Sequence, residues 1–275
     1  MAREETEIRR LTDGFRHADT QSMSTPTGRF HSTLTRWFVP GAVYTFVGAG
    51  GKTTAMKRIA AHLARTGVKA RMTTTTKVAV HEFAGFLVSL VREAADFERA
   101  LADPAPTRLV VAGSASDRRY LGLQPALIEG VRIGADAVLL VEGDGSRQRP
   151  MKVPLGHEPV IPANTSTVFA VMGASAFDEP VDERHCYNFE KALALVGRTG
   201  SFFEAGEIAS LAGDPEGCFK GVKSGMGFRL LLNQGDLEEK RETACEALWL
   251  ARQRYGIAGA VISFEKGEIY EQTAD

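Results

Sequence analysis

Residues 48–54 read Gly-Ala-Gly-Gly-Lys-Thr-Thr, a run that combines the groups needed to hold a phosphate. Glycines let a backbone turn tightly enough for successive N–H groups to converge on one anion. A helix beginning at Lys52 adds its positive N-terminal end. The Lys52 ammonium can then reach the outer phosphates, and the Thr53 hydroxyl supplies an oxygen to Mg2+. The usual spacing of such a loop is G-x-x-x-x-G-K-[ST]. Here Phe46 stands where its first glycine belongs and Gly48 comes first, so the loop is two residues shorter. Gly48, Ala49, Gly50, Gly51, Lys52, Thr53 and Thr54 are expected to bind a nucleoside triphosphate.

Two further stretches carry oxygen and charge. Residues 72–77 read Met-Thr-Thr-Thr-Thr-Lys. Threonine favours strands, which accounts for part of the run. Four hydroxyls and a lysine at a strand end also lie where open α/β sheets gather their ligands. Residues 73–76 and Lys77 are expected on the γ-phosphate side, with Thr75, Thr76 and Lys77 joining Lys52 in catalysis. Glu142 and Asp144 end the apolar run 138–141. Acids in that position hold Mg2+ in phosphoryl-transfer sites, so both are expected to act in catalysis and, with Thr53, to bind the metal. Arg147, Arg149 and Lys152 follow closely. Arginine suits bidentate contact with phosphate or carboxylate, and these three are expected to meet an anionic second substrate or a partner. His157 and Glu158, in a proline-bounded loop, read as structural.

Asn233-Gln234-Gly235-Asp236 closes another apolar run. It is close to the N-K-x-D guanine motif, in which a carboxylate accepts two hydrogen bonds from the base and the asparagine supports the site. Asn233 and Asp236 are expected to face the base. Gln234 replaces the lysine whose stem lies along the base plane, and the choice between GTP and ATP stays open.

The elements that must position these groups follow from periodicity. A short helix is expected within 30–38. Residues 42–47 are β-branched and aromatic, hence a strand. Apolar Ala55, Met56, Ile59, Ala60, Leu63 and Ala64 recur at helical spacing, and Gly67 ends that helix. Further strands are expected at 68–76, 108–113, 136–145, 165–174 and 229–236. Helices are expected at 81–103, 124–135 and 237–256, and a closing hairpin at 259–272. Strands alternating with helices mean βαβ units. The expected fold is α/β and P-loop NTPase-like, a mainly parallel sheet flanked by helices. Residues 26–275 are expected to form one domain, with 173–226 as an irregular inserted segment suited to a lid or a substrate or partner element. Residues 1–25 are polar, mixed in charge and expected to be mobile.

The short glycine loop, the threonine run, the acidic loop through "HEPVIP" and "LLNQGD" occur together in an order that resembles YqeC-like proteins. That family is described as accessory to selenium-dependent molybdenum hydroxylases. The resemblance implies a P-loop NTPase-like fold and a role in maturing those enzymes. It also implies a molybdenum hydroxylase or molybdenum-cofactor enzyme as partner. The short loop resembles that of Mur-type ligases as well, so an ATP-dependent small-molecule kinase or ligase is one alternative. A nucleotide-gated binding module or chaperone with little turnover is another.

Bulk composition narrows the classes. In 275 residues the net charge is -1, which excludes a broad electrostatic footprint for nucleic acid or anionic membrane. Hydrophobic residues make up 44% and charged residues 24%, as in globular domains. No apolar run approaches the ~20 residues of a membrane span, and the N-terminus lacks an apolar signal core. Cys186, Cys218 and Cys245 follow no metal-binding spacing, so a cytoplasmic protein with reduced thiols is expected.

Overall fold

The computed structural model describes residues 25–116, 118–197 and 201–273. The tail expected to be mobile thus lies outside the described residues, apart from Thr25. The chain begins with helix α1 (Pro26–Trp37), where the Thr25 hydroxyl accepts the Gly28 N–H and proline sits in the first turn. Strand β1 (Val43–Gly48) and helix α2 (Lys52–Arg65) follow. Next come β2 (Lys69–Thr74), β3 (Val78–Ala79), β4 (Val88–Leu90), α3 (Ala94–Ala102) and β5 (Thr107–Val111). β6 (Gly113–Ser116), β7 (Arg119–Leu121), α4 (Pro125–Glu129), β8 (Ala137–Glu142) and β9 (Met151–Lys152) lead to β10 (Thr165–Gly173). The chain ends with β11 (Cys186–Tyr187), α5 (Phe189–Val196), α6 (Ala205–Gly213), β12 (Gly227–Asn233), α7 (Glu238–Tyr255), β13 (Ala258–Ser263) and β14 (Glu268–Gln272).

Nine strands form one sheet in the order β14-β13-β12-β10-β1-β8-β2-β5-β4. Every neighbouring pair is parallel except the closing hairpin β13–β14. The central strands are apolar on both faces, because helices cover both. Tyr44, Phe46, Val138, Leu140, Phe169 and Val171 face α1 and α2. On the other face, Val168, Ala170 and Met172 pack with residues of α5, α6 and α7, while Leu139 and Val141 pack with residues of α3 and α4. Beneath β1, the rings of Phe38, Phe46 and Phe169 stack, with Phe169 5.1 Å from Phe38 and 5.3 Å from Phe46. All three are fully buried.

One expected helix, 81–103, is replaced. A single 3-10 turn (Val80–Phe83) gives way at Gly85, whose φ is +85°. The chain then adds β4 parallel to β5, with Val88 beside Leu109. Only Ala94–Ala102 is helical, closed at its start by Glu93 and Asp96 bonding each other's backbone. The helix expected at 124–135 is one short turn, α4. β3, β6 and β7 form a small antiparallel sheet, and β9 pairs with β11; neither was expected. The 173–226 segment carries α5 and α6 between loops, in keeping with its irregular pattern. Among the described residues, no helix is long and apolar enough to cross a membrane.

Phe169 holds the stack under the strand that delivers the glycine loop. Phe169→Ala should lower unfolding stability by about 3–5 kcal/mol in urea titration. A change within experimental error would mean that the stack contributes little.

Candidate nucleotide site

Strand β8 ends at Glu142, in register with Phe46 of the parallel strand β1, which runs two residues further to Gly48. This edge of the sheet carries the site. After β1 the chain turns through Gly48, Gly50 and Gly51 with φ of +91°, +73° and +116°, values that L side chains rarely adopt. Space is as restrictive as conformation. A Cβ on Gly50 would lie 2.2 Å from the Gly173 nitrogen, and one on Gly51 would lie 2.5 Å from Asn233 Nδ2.

The first part of the loop is anchored inward. The Gly48 N–H faces both oxygens of Asp144, each at 3.1 Å. The Ala49 N–H donates to the Val171 carbonyl and the Gly50 N–H to the Arg149 carbonyl. The second part is directed outward. The Ala55 N–H closes the first helical bond onto the Gly51 carbonyl. The amides of Lys52, Thr53 and Thr54 are therefore helix-start donors with no carbonyl behind them. Residues 50–54 line a cavity of about 1330 Å³, whereas Gly48 and Ala49 do not.

Lys52 is only 3% exposed and folds back onto its own loop. Its Nζ donates to the Gly48 carbonyl at 2.6 Å and lies 3.2 Å from Asp144 and 3.8 Å from Glu142. Burial alone would lower its pKa, but Asp144 and then Glu142 outweigh that and hold the ammonium above its usual value. Glu142 stands the other way. Burial raises its pKa, and the more distant Lys52 and the Thr53 hydroxyl offset only part of this, while Glu82 adds to the rise.

The Thr53 hydroxyl lies between two carboxylates, 3.0 Å from Glu142 Oε2 and 3.3 Å from Glu82 Oε2. One hydroxyl and two carboxylates with open space beside them fit Mg2+, which keeps several waters and phosphate oxygens in its shell. Glu82 was not anticipated, because residues 81–103 read as one helix. The sequence holds no signal that singles it out. Asp144 lies behind this cluster at 1% exposure, off the cavity wall. Its oxygens serve Gly48, Lys52 and Lys152, so the carboxylate beside Thr53 that joins Glu142 is Glu82.

The threonine run divides. Thr73 is buried and donates to the Val110 carbonyl at 2.7 Å, within the sheet. Thr75 donates to the carbonyls of Val160 and Glu142, and only Thr76 and Lys77 of the run reach the cavity wall. The basic cluster divides too. Lys152 is 3% exposed and bonded to Glu158 at 2.7 Å, Asp144 at 3.3 Å and the Gly145 carbonyl. This buried, paired ammonium is internal framework, and Glu158 is its partner. Arg147, Arg149 and His157 line the cavity.

Asn233 ties three segments together. Its Nδ2 donates to the Gly50 carbonyl at 2.7 Å, and its Oδ1 accepts the Phe264 N–H at 3.1 Å. Gln234 sits at φ +67° and accepts the Ser175 N–H. Asp236 lines the cavity with Ser263 and Glu265 at the end of β13, two further residues that sequence reasoning did not single out.

A mainly parallel α/β sheet flanked by helices, with a glycine turn between β1 and α2 at the carboxyl end of β1, is a P-loop NTPase-like fold. The family model described as "YqeC protein" matches residues 44–190. A protein of Escherichia coli (strain K12), described as "Uncharacterized protein YqeC", is 30% identical over 222 residues. The matched region covers 76% of this chain and 86% of that protein. The chain belongs to the YqeC family.

Asp144→Ala would leave two buried ammonium groups short of a partner. It should cost about 3 kcal/mol or more of stability in urea titration. A loss under about 0.5 kcal/mol, the scale of a surface ion pair, would contradict the role given to Asp144.

Proposed function

We propose that this protein binds and hydrolyses a Mg2+–nucleoside triphosphate and serves as an accessory factor in maturing molybdenum hydroxylases. The observation that carries the nucleotide reading is Thr53. Its hydroxyl joins Glu142 and Glu82 at the start of α2, beside Lys52 and the open amides of the glycine loop. Thr53, Glu142 and Glu82 would hold Mg2+, whose charge would neutralise the phosphates. The amides of residues 51–54 hold the β- and γ-phosphate oxygens, and Lys52 exchanges Asp144 for them. Thr76 and Lys77 stand on the far side of the same cavity.

Asn233 and Asp236 support guanine as the base. Asn233 braces the glycine loop against the β13 end, and Asp236 leaves a carboxylate on the cavity wall for the donor pair of guanine. The accessory role rests on family membership and on the resemblance of the acidic loop and "LLNQGD" to that family. A cytoplasmic setting accords with three unpaired cysteines, of which Cys186 and Cys218 are buried with pKa values pushed up to about 12 by that burial.

Lys52→Ala should reduce triphosphate turnover at least about a hundredfold, the scale of one charge-stabilising group, with circular dichroism preserved. Unchanged turnover would overturn the site assignment. Calorimetric titration should give tighter binding of a GTP analogue than of an ATP analogue, with the preference lost in Asp236→Asn. ATP binding indifferent to that change would leave Asn233–Asp236 as a turn alone.

Metal binding needs the Glu142 carboxylate ionised. Its raised pKa places the loss of Mg2+ affinity, as pH falls, above the ordinary carboxylate range. Glu82→Gln removes a like charge, so this acid limb should move to lower pH even as affinity weakens. A limb that stays in place or moves up would contradict the pairing.

A further inference from the structure

We propose that the cavity holds two ligands at once: the triphosphate on the glycine loop and, beside it, a small molecule whose phosphate or carboxylate is gripped by Arg147 and Arg149. This rests on the nucleotide reading above and adds a second subsite to it. Three observations carry it. The cavity, at about 1330 Å³, exceeds the roughly 300–1,000 Å³ that encloses a single drug-sized ligand.

The second observation is charge. Lys52 and Lys152 are both buried and ion-paired. Arg147 and Arg149 line the cavity and have no ion-pair partner among the described residues. Both residues are exposed, and guanidinium groups match an oxyanion bidentately.

The third observation is how Arg147 is held. Arg147 and Gln148 are successive non-glycine residues at φ +49° and +60°, and the Arg149 N–H closes the turn onto the Ser146 carbonyl at 3.0 Å. Left-handed residues of this kind persist only where the surroundings over-determine them, and they cluster at ligand sites. Here the Arg147 guanidinium stacks on the Tyr187 ring at 4.8 Å. That ring is fixed because β11 pairs with β9, placing Tyr187 beside Lys152. The Arg149 carbonyl in turn accepts the Gly50 N–H, which joins the turn to the glycine loop. Tyr187, and Ser175 on the same cavity wall, both come from the irregular 173–226 segment. That segment thereby contributes two residues to the cavity wall, one of them under Arg147.

Calorimetric titration of the full chain with pyrophosphate and with citrate tests this, each with and without a saturating non-hydrolysable GTP analogue and Mg2+. We expect one of the two to bind in the presence of the analogue, and the tighter one identifies the head group as phosphate or carboxylate. In the presence of the analogue, binding should weaken at least tenfold in Arg147→Ala/Arg149→Ala and weaken less in Arg147→Lys/Arg149→Lys. Unchanged thermal melting of the arginine variants excludes misfolding as the cause. Binding of both anions that the analogue blocks completely would place the oxyanion on the glycine loop and overturn the second subsite. Absence of binding by either anion up to tens of millimolar would overturn it as well. Failure of the nucleotide reading is separate, since the analogue itself would then not bind. The arginine variants would still locate the oxyanion.

Discussion

The buried carboxylate of Asp144 is the interaction on which the site depends. One acidic side chain receives the first amide of the glycine loop, the Lys52 ammonium and the Lys152 ammonium. A charge so deeply buried is tolerated only when paired and hydrogen-bonded, and each partner here belongs to a different segment. Asp144 thus fixes the turn after β1, the start of α2 and the strand β9 in one arrangement. Around it, three carboxylates (Asp144, Glu142 and Glu158) meet two ammonium groups. The surplus negative charge falls on Glu142, whose ionisation burial already disfavours. It is also the carboxylate nearest the Thr53 hydroxyl, so a divalent cation there would relieve the imbalance.

Backbone proximity is the companion constraint. Gly50 nearly touches Gly173, and Gly51 nearly touches Asn233. The loop can therefore lie against the ends of β10 and β12 only without side chains. Those contacts link the glycine-loop end of the cavity to the Asn233–Asp236 turn. The parallel register of β1 with β8 and β10 sets the depth at which Glu142 and Gly173 emerge. The aromatic stack of Phe38, Phe46 and Phe169 supports β1 from below.

Much of this was legible in the sequence. Strand, glycine turn and amphipathic helix at 43–65 are local signals, and so are the apolar runs that became β8, β10, β12 and β13. Glu142 was readable as an acid at a strand end. What could not be read was set by tertiary contacts. The apolar residues around 83–91 fit a helix as well as a strand, and Gly85 together with pairing to β5 decided between them. With that segment misassigned, Glu82 had no reason to stand out. Glu142 and Asp144, two positions apart, look equivalent by alternation. The chain leaves the strand after Glu142, however, and turns Asp144 under the loop. Lys152 was grouped with Arg147 and Arg149 as a contact for an anionic substrate or partner, although its apolar neighbours Met151 and Val153, both buried, were a hint of its burial. Thr73 was counted with the site because the threonines are consecutive, but strand alternation and the Val110 carbonyl take its hydroxyl into the sheet.

On the proposed function, Lys52 and the amides that follow Gly50 form a phosphate site held ready by Asp144. The most direct measurement follows the backbone amides of residues 51–54 and the Lys52 ammonium by NMR. A non-hydrolysable guanosine triphosphate analogue is added with Mg2+ during the experiment. The account predicts that these amides shift together at saturation and that the Lys52 ammonium leaves the environment it shares with Asp144. Amides and ammonium that stay unchanged while the analogue binds would contradict it, since the nucleotide would then sit elsewhere.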